Sequence, residues 1–200
     1  GTVTGVQTCA LPIFRPHAKD TVDRLKGLGL DIGILTGDNR YVAEVIAKEL
    51  NIKTVLSEVL PGSKSNEIKK MQAKGLTVGM VGDGVNDAPA LAQADLGIAV
   101  GSGADVAIEA SDITLMSNDL TAVVDAIELS NKTMVKVKQN LFWAFFYNCL
   151  GIPIAAGVLY PTFGILLSPV YAALAMTLSS VSVISNSLLL KKFTPKARIL

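Results

Sequence analysis

Gly82-Asp83-Gly84-Val85-Asn86-Asp87-Ala88-Pro89-Ala90-Leu91 sets two carboxylates four residues apart, where the apolar run from Leu76 to Val81 gives way to a helix-forming sequence. The run reads as a short buried strand. The glycines after it permit a tight turn and the close backbone approach that a phosphate requires. Asp83 then stands at the carboxyl end of a strand and Asp87 near the start of the next helix. Ligands bind at that edge of open α/β sheets, and carboxylate oxygens suit Mg²⁺. Asn and Asp also favour turns and helix N-caps, so the segment has a purely structural reading beside the chemical one.

Upstream, the same strand-then-loop pattern recurs. Ala18, Val22, Leu25 and Leu28 follow Pro16 at helical spacing, before Gly27 and Gly29. Ile32 to Leu35 is a short apolar strand ending in Thr36-Gly37-Asp38-Asn39. A helix with Val42, Val45, Ile46 and Leu50 inward comes next, then a weak strand at Thr54 to Leu56. Pro61-Gly62-Ser63-Lys64 opens a polar helix to about Lys74. Downstream of Asp87 the pattern predicts a short helix through Ala92 and a strand at Leu96 to Val100. A helical turn near Asp105 to Ala110 and a strand at Ile113 to Met116 complete the series. Strands alternating with helical stretches imply parallel βα units and a layered Rossmann-like sheet. A hydroxyl, an ammonium and two carboxylates would then gather at one sheet edge, as phosphoryl transfer requires.

The net charge of +1 hides an asymmetry, and gives no reason to expect a nucleic-acid partner. All 17 acidic residues precede Leu129, and from there on the only charged residues are Lys132, Lys136, Lys138, Lys191, Lys192, Lys196 and Arg198. Gln139 to Leu190 holds no Asp, Glu, Lys, Arg or His. A membrane span takes about 20 helical residues, so this stretch predicts two transmembrane helices joined by a turn around Tyr160, Pro161 and Gly164. The helix beginning near Asp119 is expected to run through Lys138 toward the membrane and to couple the two halves. Basic residues at both outer ends put those ends in the cytoplasm. Trp143 and Tyr160 are candidate interfacial anchors. Cys9 and Cys149 imply no disulfide framework.

TGDN, PGSK and GDGVNDAPAL, followed by an apolar hairpin, resemble the carboxyl-terminal part of a P-type ATPase. The resemblance runs from about Arg15 to Phe193. It implies a haloacid-dehalogenase-like phosphorylation domain in which ATP phosphorylates the aspartate of a DKTGT motif. Thr36 and Lys64 would contact the aspartyl phosphate, Asp83 would ligate Mg²⁺, and Asp87 and Asn86 would support that site. Gly37 and Asp38 would lie near the nucleotide phosphates.

In the hairpin, Tyr147 and Asn148 are adjacent, while Met176 and Ser180 share a helix face. A thioether with no nearby carboxylate suits a soft monovalent ion. This pattern is similar to the copper-transporting heavy-metal P-type ATPases, in which such residues line the path of Cu⁺ or the equally soft Ag⁺. The same resemblance implies an integral protein of the plasma (inner) membrane, surrounded by lipid, and a metallochaperone that delivers copper. The chain contains neither DKTGT nor Cys-Pro-Cys, so it is read as a fragment inactive by itself. It divides into an unmatched leader (1–13), a partial phosphorylation domain (14–130), a linker helix with two transmembrane helices (131–190) and a basic tail (191–200). A phosphatase of the same superfamily and a non-enzymatic membrane module are the other classes its loops permit.

Overall fold

A computed structural model of the chain describes residues 17–83, 85–101, 105–164 and 168–194. It divides into two units, Gly1–Val124 and Asp125–Leu200. The first contains α1 (Ala18–Gly27), β1 (Gly33–Leu35), α2 (Arg40–Glu49), β2 (Thr54–Leu56), α3 (Lys64–Gln72), β3 (Gly79–Gly82), α4 (Ala88–Gln93), β4 (Leu96–Val100), α5 (Asp105–Glu109) and β5 (Ile113–Leu115). The helical position predicted for Pro16 lies outside the described residues.

The expected α/β alternation is present, and every strand pairing is parallel. The strands form two sheets, β1-β2 and β3-β4-β5, rather than one. Leu35 of β1 nevertheless packs against the core that holds Met80 of β3, together with Ile68, Ala90, Leu91 and Ala107. A second core joins Ala18 and Val22 of α1 to Ala47, Leu50 and Ile52.

Two helix faces differ from the predicted ones. In α2 the buried side chains are Ala43 and Ala47 with Leu50 just beyond, whereas Val42 and Val45 are exposed. Positions 43, 46, 47 and 50 form one helical stripe, and the alanines let the backbone sit close to the sheet. Leu28 is exposed because α1 ends at Gly27, and the chain turns away through Gly29 at φ 83°.

The predicted strand from Leu76 to Val81 is a strand only at Gly79–Gly82. Before it, the Asp95 side chain substitutes for a neighbouring strand. Its Oδ2 accepts from the Val78 N–H at 2.8 Å, while the Asp95 N–H donates to the Val78 carbonyl at 2.9 Å. Asp112 repeats the device on β4, exchanging two hydrogen bonds with Gly97. Strand starts are therefore set by side chains that the apolar pattern does not reveal.

Hydrogen bonding from Val78, and then from Gln72, lowers the Asp95 carboxyl below its ordinary value, and the Thr121 N–H does the same for Asp119. Each contribution is present above the unfolded pKa, near 4, and is lost as pH falls through the lower folded value. The first unit should hold constant stability above about pH 5 and lose it below about pH 4. Asp95→Asn should make that loss shallower in an acid titration followed by circular dichroism. An unchanged acid slope would show that these carboxylates do not govern it.

Gly97 lies in the central strand of its sheet, and a Cβ there would stand 2.7 Å from the Leu91 carbonyl oxygen. That contact is with backbone, which cannot rotate aside. Gly97→Ala should cost about 1–3 kcal/mol, read as a lowered thermal transition of the first unit.

The second unit contains most of α6 (Thr121–Ala155), then α7 (Tyr160–Phe163) and α8 (Pro169–Leu188), followed by a 3₁₀ turn at Leu189–Lys192. The predicted linker helix and first apolar helix are thus one continuous helix. The predicted turn contains α7, closed by Gly164 in the left-handed conformation. Among the described residues one stretch of helix, Ala173–Lys192, is long and apolar enough to cross a membrane. The charge-free part of α6, from Gln139 to Ala155, is shorter. Cys149 is an exposed thiol.

Candidate functional site

Each candidate loop of the first unit leaves the carboxyl end of a parallel strand. The Thr36 N–H extends the β1-β2 ladder by donating to the Leu56 carbonyl at 2.9 Å. The chain then folds so that the Glu58 N–H donates to the Asp38 carbonyl at 2.9 Å and the Val59 N–H to the Thr36 carbonyl at 3.1 Å. A Cβ on Gly37 would lie 3.4 Å from the Val59 carbonyl oxygen, so the two loops are in contact there. The Thr36 hydroxyl donates to Asp38 Oδ2 at 2.8 Å and accepts from the Asp38 N–H at 3.1 Å. Its one proton is therefore committed to Asp38, and donating to a phosphoryl oxygen requires exchanging that partner. Asn39 takes the plain structural role: its Oδ1 accepts from the Val42 N–H at 2.9 Å and caps α2.

The second loop ends in the 3₁₀ turn Pro61–Ser63, and Lys64 is the first residue of α3. A cation in the first helical turn opposes the helix dipole. It is held there by a carboxylate. Lys64 Nζ lies 2.6 Å from Asp87 Oδ1, and the two side chains are 13% and 15% exposed.

Asp87 stands at the N-cap of α4 yet makes no capping hydrogen bond. Its side chain instead folds back beneath the end of β3, where a Cβ on Gly82 would come within 2.8 Å of Asp87 Cβ and 3.0 Å of Oδ2. Glycine at 82 leaves the space this carboxylate uses. Asp83 and Asn86 follow the strand end and are exposed. No group of three or more His, Cys, Asp or Glu side chains forms a cluster among the described residues. A cation at this site would therefore draw on Asp83, on Asp87 where Lys64 leaves it free, on backbone carbonyls and on water. A hard, hydrated ion such as Mg²⁺ tolerates such a sparse oxygen set.

In the second unit the other candidates lie on two helices. Tyr147 packs its ring near Trp143 and Phe146, with centroids 6.1 and 6.3 Å away, and Asn148 is exposed. On α8, Met176 is 71% exposed and Ser180 Oγ donates to the Met176 carbonyl at 3.2 Å. No hydrogen bond joins Tyr147 or Asn148 to Met176 or Ser180 among the described residues. The two helices meet instead in a polar cluster that sequence reading missed. Asn186 Oδ1 accepts from Lys136 Nζ at 2.7 Å, and Asn186 Nδ2 donates to Asn140 Oδ1 at 2.8 Å and to Gln139 Oε1 at 3.4 Å. Asn140 Nδ2 donates to Ser187 Oγ at 2.9 Å. Its signal was the occurrence of amides at both ends of the charge-free stretch.

A family model for haloacid dehalogenase-like hydrolases matches residues 4–95. A protein of Archaeoglobus fulgidus described as a probable copper-exporting P-type ATPase is 59% identical over 185 residues, 92% of this chain and 23% of that protein. A copper-exporting P-type ATPase of Vibrio cholerae is 56% identical over 187 residues, 94% of this chain and 20% of that protein. A crystal structure of a zinc-transporting PIB-type ATPase superposes with a TM-score of 0.76 at 35% identity, covering 89% of this chain and 28% of that one. The chain spans about a quarter of the length of the curated relatives it matches. By sequence and by fold, it is a relative of the copper-transporting P-type ATPases, and its α/β unit has the haloacid-dehalogenase-like fold.

Proposed function

We propose that the chain is part of an ATP-driven pump that exports Cu⁺, or the equally soft Ag⁺, by way of an aspartyl phosphate. The carrying observation is the Lys64–Asp87 pair. Asp87 gives up a helix cap and lies under Gly82 in order to hold an ammonium at the end of β3. A cation so placed neutralises phosphoryl oxygens. With Asp87 engaged by Lys64, Asp83 is the principal protein ligand for Mg²⁺, Asp87 and Asn86 support it, and the ion supplies charge neutralisation at the transferring phosphate. Thr36 orients the phosphoryl group once its hydroxyl leaves Asp38. Gly37 and Asp38 lie on the side from which ATP enters.

The nucleophile lies outside the described residues. Sheet edges are normally covered by other strands, helices or loops, and among the described residues β1 and β3 each pair along one edge only. A strand inserted between them would unite the two sheets and deliver an aspartate beside Thr36, Lys64 and Asp83.

Copper rather than zinc follows from the donors. Between Gln139 and Leu190 there is no carboxylate to balance a divalent charge, whereas Met176 offers a thioether. Measured along each helix from the Asn140–Ser187 contact, Asn148 and Ser180 lie at nearly equal depth, about 12 and 11 Å, and Met176 about 17 Å. Tyr147, Asn148 and Ser180 would line one level of the path, with Met176 about one helical turn farther along it. The lysines that flank the charge-free stretch face the cytoplasm of an inner membrane, where a metallochaperone delivers the ion.

In the complete protein, Asp83→Ala should lower Cu⁺-stimulated ATP hydrolysis by about a hundredfold or more. Hydrolysis at the unmodified rate would refute the assignment. Met176→Ala should weaken Cu⁺ binding by about tenfold while leaving the α/β unit folded, as one ligand among four is lost. Unchanged stoichiometry and affinity would make Met176 a packing residue.

A further inference from the structure

We propose that the charged end of the hairpin carries a binding site for the phosphate of an anionic phospholipid. A pocket of about 420 Å³ lies between α6 and the turn after α8. Lys132, Lys136 and Lys192 line its polar side, and Val135, Leu189 and Phe193 its apolar side. None of the residues lining it is acidic. Three ammonium groups around one cavity repel each other unless an anion joins them.

Two of the three are already held in place. Lys132 Nζ sits 4.5 Å from the centre of the Phe193 ring, and Lys136 Nζ is fixed by Asn186 Oδ1 at 2.7 Å. Groups ordered before binding lose less conformational freedom when a ligand arrives. The position selects a lipid as the occupant. The apolar stretch suited to crossing a membrane ends at Lys192, at the level where hydrocarbon gives way to headgroups. Basic pockets between helices at that level are suited to anionic headgroups. The apolar wall would accommodate the glycerol and the first methylenes of the acyl chains.

This inference rests on the membrane-spanning reading of α8. The test reconstitutes the full chain into phosphatidylcholine vesicles that contain a minority of phosphatidylglycerol. Retained lipid is then measured by native mass spectrometry. Lys132→Gln with Lys136→Gln should reduce the preference for phosphatidylglycerol by about thirtyfold, at about 1 kcal/mol for each lysine. Lys138→Gln with Lys191→Gln, which removes the same charge outside the pocket, should change it less than twofold. Equal losses in the two pairs, or no loss in either, would overturn the site. Arginine at 132 and 136 should preserve the preference; loss with arginine would also overturn it. Excess inorganic phosphate should leave the retained lipid in place, and displacement by phosphate would identify a free anion as the ligand. Extraction of the unmodified chain by alkaline carbonate would sink the membrane reading. A chain that stays in the vesicles without lipid preference would sink only the pocket.

Discussion

The pairing of Lys64 with Asp87 is the contact that ties the candidate loops of the first unit together. It joins the residue that opens α3 to the residue that precedes α4, so the loops after β2 and β3 are set against one another. Three local costs are accepted for it. Lys64 opposes the dipole of its own helix, α4 lacks a side-chain cap, and position 82 is restricted to glycine. Each is out of keeping with stability alone, and all three serve one ion pair that is mostly shielded from water. Sites where local rules are broken together in this way are where function is expected. From that pair, contact passes through the turn at Pro61–Ser63 to Val59 and Glu58, whose N–H groups grip the Thr36-Gly37-Asp38 segment.

Periodicity and glycine placement made most of the first unit legible, because apolar strands and capped helices leave local marks. β1, β2, β4 and β5 fall where their apolar runs stand, and the helices between them lie within a few residues of expectation. Features that depend on partners far along the chain were not legible. The start of β3 is decided by Asp95, and that of β4 by Asp112. The inward stripe of α2 follows alanines rather than valines, because close approach to the sheet rewards small side chains. Asp87 stood out in the sequence as a candidate site carboxylate, but its grip on Lys64, 23 residues earlier, was not legible there. The break between β1 and β3 is equally invisible to pattern, since each strand is locally complete.

Within the hairpin, the environment proposed for α8 explains how its hydroxyls are arranged. Thr177, Ser180, Ser182 and Ser187 each donate to the carbonyl four residues earlier, at 2.8–3.2 Å. A hydroxyl in hydrocarbon without a partner costs several kcal/mol, and bonding back to the helix removes that cost without needing a second helix. The proton is spent, yet the oxygen lone pairs remain. Ser187 uses one of them to accept from Asn140. Ser180 has the same capacity toward an ion.

The contrast between the two ends of the hairpin bears on what could pass along it. Polar atoms at the lysine end are matched across the two helices: Lys136, Gln139, Asn140, Asn186 and Ser187 are joined by hydrogen bonds. One turn and more beyond that set, the polar groups are neutral and unmatched across the helices, and they belong to a phenol, an amide, a thioether and a hydroxyl. A divalent ion surrounded only by such dipoles would keep most of its charge uncompensated in a low-dielectric setting, where the penalty grows as the square of the charge. A soft monovalent ion incurs a quarter of that penalty and gains a covalent share from sulfur. On the proposed reading, the absence of any carboxylate from Gln139 to Leu190 would be as much a selectivity device as the presence of Met176, because it removes the counter-charge that a divalent competitor would need.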